Sequence, residues 1–200
     1  VNKTQQYPER LCLFGGSFDP IHNGHLILAQ YVLNNLDIPR ILFMPAYTPP
    51  HKPLSEGATF QQRYEMTRLA VGNNNSFLLS DYEIRRKGVS YTIDTINHLL
   101  EECEVKDLYL LIGEDSLEEF MTWKKYDKII DKCTLTVFRR FFRERKTPHI
   151  NEEQIIRLKN PIIEISSTFI RECLQTGKSI RYIVPPQVED YIQKNRLYLS

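Results

Sequence analysis

The sequence has little that would mark it out by composition. Its longest apolar run is Leu108-Tyr109-Leu110-Leu111-Ile112, against the ~20 residues a membrane-spanning helix needs, so no transmembrane helix is expected. Neither sign of charge is in excess: 26 Lys and Arg face 25 Asp and Glu, for a net charge of +1. Such a chain has no global field with which to gather nucleic acid or an anionic membrane, and any phosphate it binds must be held by a local site. Cysteine is sparse. Cys12, Cys103, Cys133 and Cys173 form no CxxC pair and no dense framework, so reduced, mostly buried thiols are expected. There is no internal repeat, low-complexity tract or interdomain linker, and Val1 to Arg10 lacks the basic-then-apolar order of a secretory signal. The expectation is a cytosolic chain forming a single domain over 1–200, with 166–200 as a helical C-terminal part.

What is present is an alternation of short apolar runs with helical periodicity. Leu11-Cys12-Leu13-Phe14, Ile41 to Met44, Phe77 to Leu79, Leu108 to Ile112, Thr134 to Phe138 and Ile162 to Ile165 read as strands. Helical spacing runs from Gly24 to Leu36, from Phe60 to Val71 behind a Thr59–Gln62 capping box, and from Ile93 to Cys103; two short helices flank Trp123, and further helices are expected at 152–158, 167–175 and 187–194. Nearly all-apolar strands separated by helices predict an α/β fold: a doubly wound, mostly parallel sheet with helices on both faces, binding its ligands beyond the carboxyl ends of the strands. The basic run Arg139 to Lys146 reads as a solvated connection.

The chemistry is concentrated in Gly15-Gly16-Ser17-Phe18-Asp19-Pro20-Ile21-His22-Asn23-Gly24-His25. A double glycine after a buried strand, read as a turn into a helix, lets a ligand approach the backbone, and the helix start adds unpaired N–H groups and a positive dipole end. His22 and His25, three residues apart, can both face one phosphate. Two other readings stay open on these residues alone. A zinc site would have only two histidine ligands and no second pair at ligand spacing, and a structural pair would merely cap and pack the helix. Gly177-Lys178-Ser179 ends like a P-loop, but Glu172 stands where the first glycine is required, so Gly177 is expected to end a helix.

The segment from Gly15 to His25 resembles the (H/T)xGH nucleotidyltransferase signature in the form found in bacterial nicotinate-nucleotide adenylyltransferases, with Ser17 in place of the more usual Thr. Ile165-Ser166-Ser167-Thr168-Phe169-Ile170-Arg171 is similar to that family's ISSTxIR, and Pro49-Pro50-His51-Lys52, Ser90-Tyr91-Thr92 and Gly113-Glu114-Asp115 with Trp123 follow in family order. The resemblance spans about Leu11 to Tyr198. It implies a Rossmann-like nucleotidyltransferase fold and transfer of the adenylyl group of ATP to nicotinate mononucleotide, giving nicotinate adenine dinucleotide and pyrophosphate.

It further implies that His22 and His25 are catalytic, holding the ATP phosphates. Gly15, Gly16, Ser17, Phe18, Gly113, Asp115, Ser167, Thr168 and Arg171 would bind ATP. Lys52, Thr92 and Trp123 would bind nicotinate mononucleotide, Trp123 by stacking on its cationic ring. Asp115 would accept from the ribose hydroxyls, while Asp19 braces the turn. Mg²⁺ would arrive with ATP, with no protein metal site. ATP and nicotinate mononucleotide are thus the implied partners, without nucleic acid or membrane; a homo-oligomer is left open. The alternatives are a sister adenylyltransferase using nicotinamide mononucleotide or phosphopantetheine, and a non-catalytic nucleotide-binding regulator.

Overall fold

The computed structural model describes residues 7–49, 57–72, 74–140 and 150–199. Its centre is a six-stranded, wholly parallel sheet of β1 (Arg10–Gly16), β2 (Ile41–Pro45), β3 (Phe77–Leu79), β4 (Asp107–Gly113), β5 (Thr134–Phe138) and β6 (Ile155–Arg157), in the order β3-β2-β1-β4-β5-β6. The strands are apolar on both faces because both are covered. Cys12, Phe14, Ile41, Phe43 and Leu111 enter one core with residues of α1 (Asn23–Asn35), α2 (Phe60–Val71), α7 (Ser167–Gln175) and α8 (Pro186–Lys194). Their alternating neighbours Leu11, Leu13, Leu42, Met44, Leu110 and Ile112 enter a second core with α4 (Thr92–Glu101), α5 (Glu114–Glu118) and α6 (Tyr126–Lys132). The period of two along each strand thus divides the apolar side chains between two helical layers. A short α3 (Tyr82–Arg86) completes the helices.

Local signals behave as their chemistry dictates. Thr59 Oγ1 accepts from Gln62 N–H while Gln62 Oε1 accepts from Thr59 N–H, closing the capping box. Gly177, at φ 69°, ends α7: its N–H donates to Leu174 C=O and Lys178 N–H to Cys173 C=O, a Schellman arrangement. All four cysteines are free thiols, three of them buried. Among the described residues no helix is long and apolar enough to cross a membrane.

Three expectations are corrected. The glycines at 15 and 16 are not the turn: they extend β1, paired with Met44 and Pro45, and the left-handed backbone falls on Phe18 at φ 47°. Residues 152–158 are not a helix but a single 3₁₀ turn, Glu152–Gln154, followed by β6. Ile162 to Ile165 is unpaired chain rather than the last strand, because Ile155 and Ile156 already occupy the free edge of β5, opposite Leu135 and Thr136. Its isoleucines are half-buried as the chain leads into α7.

Candidate active site

β1 and β4 pair only as far as Leu13 and Leu110. Beyond that register β1 continues along β2 to Gly16, and β4 continues along β5 to Gly113. The two carboxyl ends therefore part where the strand order reverses, which opens a crevice. A cavity of about 440 Å³ occupies it, with Gly15, Gly16, Ser17, Thr92, Trp123 and Lys124 in its walls. A Cβ at Gly15 would meet nothing within 4 Å, so the β1 backbone borders open space there.

His22 is the N-cap of α1 and only 3% exposed. Its ring stacks on that of His25, with centroids 3.6 Å apart. A Cβ at Gly24 would come to 3.0 Å from His22 Nδ1, so a larger residue there would make the His22 ring shift by a few tenths of an ångström. His25 Nδ1 accepts from the His22 backbone N–H at 3.2 Å. That bond assigns the proton of neutral His25 to Nε2 and makes Nε2 its donor. Phe14 and Phe18 meet the His25 ring edge-on, with centroids at 5.8 and 5.1 Å. Burial pushes His22 down to about 3, aided by the charge of Arg140. Burial, His22 and Arg140 likewise hold His25 well below the usual histidine range. Both rings are therefore neutral at pH 7, and neither His22 ring nitrogen has a partner among the described residues. A buried imidazole with both nitrogens unpaired, stacked on a second ring whose Nε2 is a donor, has hydrogen bonds to offer a ligand.

The start of α7 is fastened to the turn before α1. Ser167 Oγ donates to Pro20 C=O at 2.8 Å, Arg171 Nη1 donates to Asp19 C=O at 2.8 Å, and Arg171 Nη2 reaches Thr168 Oγ1 at 3.3 Å. Ser166 caps the helix by accepting from Phe169 N–H. The two sequence signatures, far apart in the chain, are thus one unit. Asp19 braces that turn: its Oδ1 accepts from Ala58 N–H at 3.1 Å and from the Tyr198 hydroxyl at 2.6 Å. Burial beside this carboxylate raises the Tyr198 phenol above its ordinary range.

On the other side of β1, Thr92 opens α4 and Trp123 follows a 3₁₀ turn at Phe120–Thr122. Trp123 packs against Phe120 and is half-buried, leaving part of its indole at the cavity wall. Lys124 Nζ lies 4.0 Å from the Tyr91 ring centroid and 3.5 Å from Asp94 Oδ2. Gly113 ends β4 opposite Phe138, and Asp115 two residues later accepts from Arg140 Nη1 at 3.1 Å. The charge of Arg140 is also among those that act on both histidines. Lys52 lies outside the described residues.

Sequence reasoning missed the residues that hold these parts together. Arg63 is fully buried and donates to three backbone carbonyls. Its signal was an arginine at helical spacing from Phe60 and Met66, on the apolar face of α2. Glu83, also buried, accepts from Ser90 Oγ at 2.6 Å and Thr95 Oγ1 at 2.7 Å, anchoring the segment that leads into α4. Arg140 stood at the near end of a basic run read as a solvated connection.

Comparison with known proteins places these features in a group. A family model described as cytidylyltransferase-like matches residues 13–173. A Synechococcus protein named "Probable nicotinate-nucleotide adenylyltransferase" is 39% identical, over 96% of this chain and 98% of its own. A protein of the same name from Caldicellulosiruptor saccharolyticus is also 39% identical, over 94% and 98%. Among solved structures, the nicotinic acid mononucleotide adenylyltransferase of Plasmodium falciparum complexed with NaAD aligns with a TM-score of 0.76 at 22% identity, covering 94% of this chain and 96% of that one.

Proposed function

The chain belongs to the nicotinate-nucleotide adenylyltransferase family within the cytidylyltransferase-like group, and from that membership we propose which of its residues do the work. The reaction transfers the adenylyl group of ATP to nicotinate mononucleotide. A 5′-phosphate oxygen of the acceptor forms a bond to the α-phosphorus as the bond from that phosphorus to the pyrophosphate oxygen breaks. The attacking oxygen is already anionic at neutral pH, so catalysis needs alignment and charge stabilisation in place of a strong base.

The observation that carries the assignment is the stacked pair of neutral histidine rings beside the carboxyl end of β1, with His25 against Phe14 of that strand and both His22 nitrogens unpaired among the described residues. His25 Nε2–H, His22 and the backbone of Gly15 to Phe18 donate to the ATP phosphates, His25 at the α-phosphate. The histidines act as hydrogen-bond donors and not as proton shuttles, because burial keeps both neutral. Ser167, Thr168 and Arg171 at the start of α7 face the outer phosphates, with Ser167 and Arg171 also fixing the Asp19–Pro20 turn. Gly113 and Asp115 receive the adenosine ribose, and Asp115 must then exchange Arg140 for hydroxyl donors.

In the cavity, Trp123 stacks on the cationic pyridine ring. The nicotinate carboxylate meets the backbone N–H groups at the start of α4 near Thr92 and those of the 115–123 segment. Lys52, which lies outside the described residues, binds phosphate, a role that rests on its place in the family motif. Mg²⁺ would enter as part of MgATP, held by phosphate oxygens and water.

The test is pyrophosphate release from MgATP with a panel of acceptors. Nicotinate mononucleotide is expected to show the highest kcat/KM, above nicotinamide mononucleotide and phosphopantetheine, and chelation of Mg²⁺ should stop turnover. Release with phosphopantetheine alone, or none with any acceptor, would reject the assignment.

A further inference from the structure

Arg63 lies on the face of α2 that carries Phe60, Met66 and Thr67, all buried. A guanidinium there is costly unless it is well paired and does something that a neutral side chain could not. Nη1 donates to Ser17 C=O at 2.6 Å; Nη2 donates to Ala46 C=O at 2.8 Å and Tyr47 C=O at 3.1 Å. One planar fork therefore ties the loop after β1 to the loop after β2. Burial pulls this guanidinium down from the usual arginine range and the nearby Asp19 opposes the shift; an arginine stays cationic at neutral pH.

A trans peptide is planar, and its C=O and N–H point in opposite directions. Where Arg63 draws a carbonyl inward, the following N–H is turned away from it. At the β2 loop both such N–H groups are used internally: Tyr47 N–H and Thr48 N–H donate to Ser90 Oγ at 2.8 and 3.3 Å, and Ser90 Oγ in turn donates to Glu83. At the β1 loop the same fork holds Ser17 C=O, yet the N–H of Phe18 finds no acceptor among the described residues. Ser17 is in the cavity wall and Arg63 lies buried behind it. The left-handed φ of 47° at Phe18 continues this geometry and seats the Phe18 ring against His25.

We infer that Arg63 is a positioning residue for adenylyl transfer: it holds the Ser17–Phe18 peptide so that the Phe18 N–H faces the reacting phosphate beside His25. The hydrogen bond to Ser17 C=O polarises that peptide, and the buried positive charge behind the loop favours the anion in front of it. The inference rests on the adenylyltransferase reading above. Lysine cannot replace the fork, because one ammonium group is a compact charge on a flexible stem and cannot span the same carbonyls in the same plane.

Arg63→Lys and Arg63→Met are compared with the wild type for thermal unfolding, kcat and the KM of each substrate. Both variants are expected to lose about 10²-fold in kcat, the order seen when an anion-stabilising donor is lost. The KM for nicotinate mononucleotide should stay within threefold. A folded variant with kcat within threefold of wild type overturns the proposal, and so does a loss confined to KM for nicotinate mononucleotide. Should neither variant fold, the wild type decides: the Phe18 amide proton resonance must shift downfield on adding a non-hydrolysable ATP analogue with Mg²⁺, and an unmoved resonance rejects the role. Wild-type protein inactive with MgATP and nicotinate mononucleotide would instead reject the underlying reaction.

Discussion

His25 and His22 differ in what their surroundings ask of them. His25 has its Nδ1 fixed by the His22 backbone N–H, so its one free nitrogen is a donor. Removing it in His25→Ala should lower kcat about 10²- to 10³-fold while ATP affinity changes far less, which steady-state kinetics set beside equilibrium ATP binding would reveal. His22 carries the clearer pH consequence. Its folded value of about 3 lies below the ordinary histidine value of 6.5, with burial the first cause. Below pH 6.5 the unfolded chain takes up a proton that the native state refuses, so this stability is present at neutral pH and lost as pH falls from about 6.5 toward 3. The slope approaches ~1.4 kcal/mol per pH unit for one such histidine. His22→Gln should therefore flatten the decline of stability between pH 6 and 4, measured by denaturant unfolding. Parallel declines for variant and wild type would mean that His22 is charged in the native protein.

At the scale of elements, the decisive join is between α7 and the turn before α1. Ser167→Ala removes one hydrogen bond to Pro20 C=O, a loss of about 1 kcal/mol, which for a chain of this size is about 2–4 °C in Tm. Arg171→Met leaves Asp19 C=O without its donor and should also raise the KM for ATP several-fold; a variant with unchanged Tm and unchanged KM would show the staple to be incidental. That a helix runs from Ser167 was legible in the periodicity of 167–175, and the role proposed for Ser167, Thr168 and Arg171 comes from the resemblance of their segment to a family motif. That it fastens the histidine turn was not legible, since Pro20 and Ser167 meet only in the fold. The strands β1, β2, β4 and β5 were legible for the same local reason, as apolar runs with defined ends.

The last strand was not. Ile155-Ile156-Arg157 is three residues long behind Glu152 and Glu153, which look like the acidic first turn of a helix, whereas Ile162 to Ile165 has the β-branched composition of a strand and no free edge to join. Sheet membership is settled by which segment reaches the edge, and a single chain segment does not record that. Arg63 was hidden differently. Charge on a helix is read as solvent-facing, and only its register with Phe60 and Met66 spoke against that reading.

Across the whole molecule, β1 stands between the histidine pair and Trp123, which belong to opposite layers of the sheet. The histidines and α7 lie with the core of α1, α2, α7 and α8; Trp123 and Thr92 lie with the core of α4, α5 and α6. A net charge of +1 is compatible with two phosphate-rich substrates when the groups proposed to hold phosphate are local ones, around the carboxyl end of this one strand. In the proposed assignment the ATP phosphates lie on the histidine side and the pyridine ring on the Trp123 side, while Asp115 of α5, in the Trp123 layer, takes the ATP ribose; ATP thus draws on both layers. Trp123 is the only tryptophan in the chain, so its emission reports the Trp123 side alone. Titration with nicotinate mononucleotide should quench that fluorescence by stacking, and MgATP alone should leave it nearly unchanged. Trp123→Ala should raise the acceptor KM about tenfold, the ~1.4 kcal/mol expected of an aromatic contact with a cation, with little effect on the KM for ATP. Equal quenching by both substrates, or an effect of the substitution on ATP alone, would place the acceptor elsewhere than against Trp123.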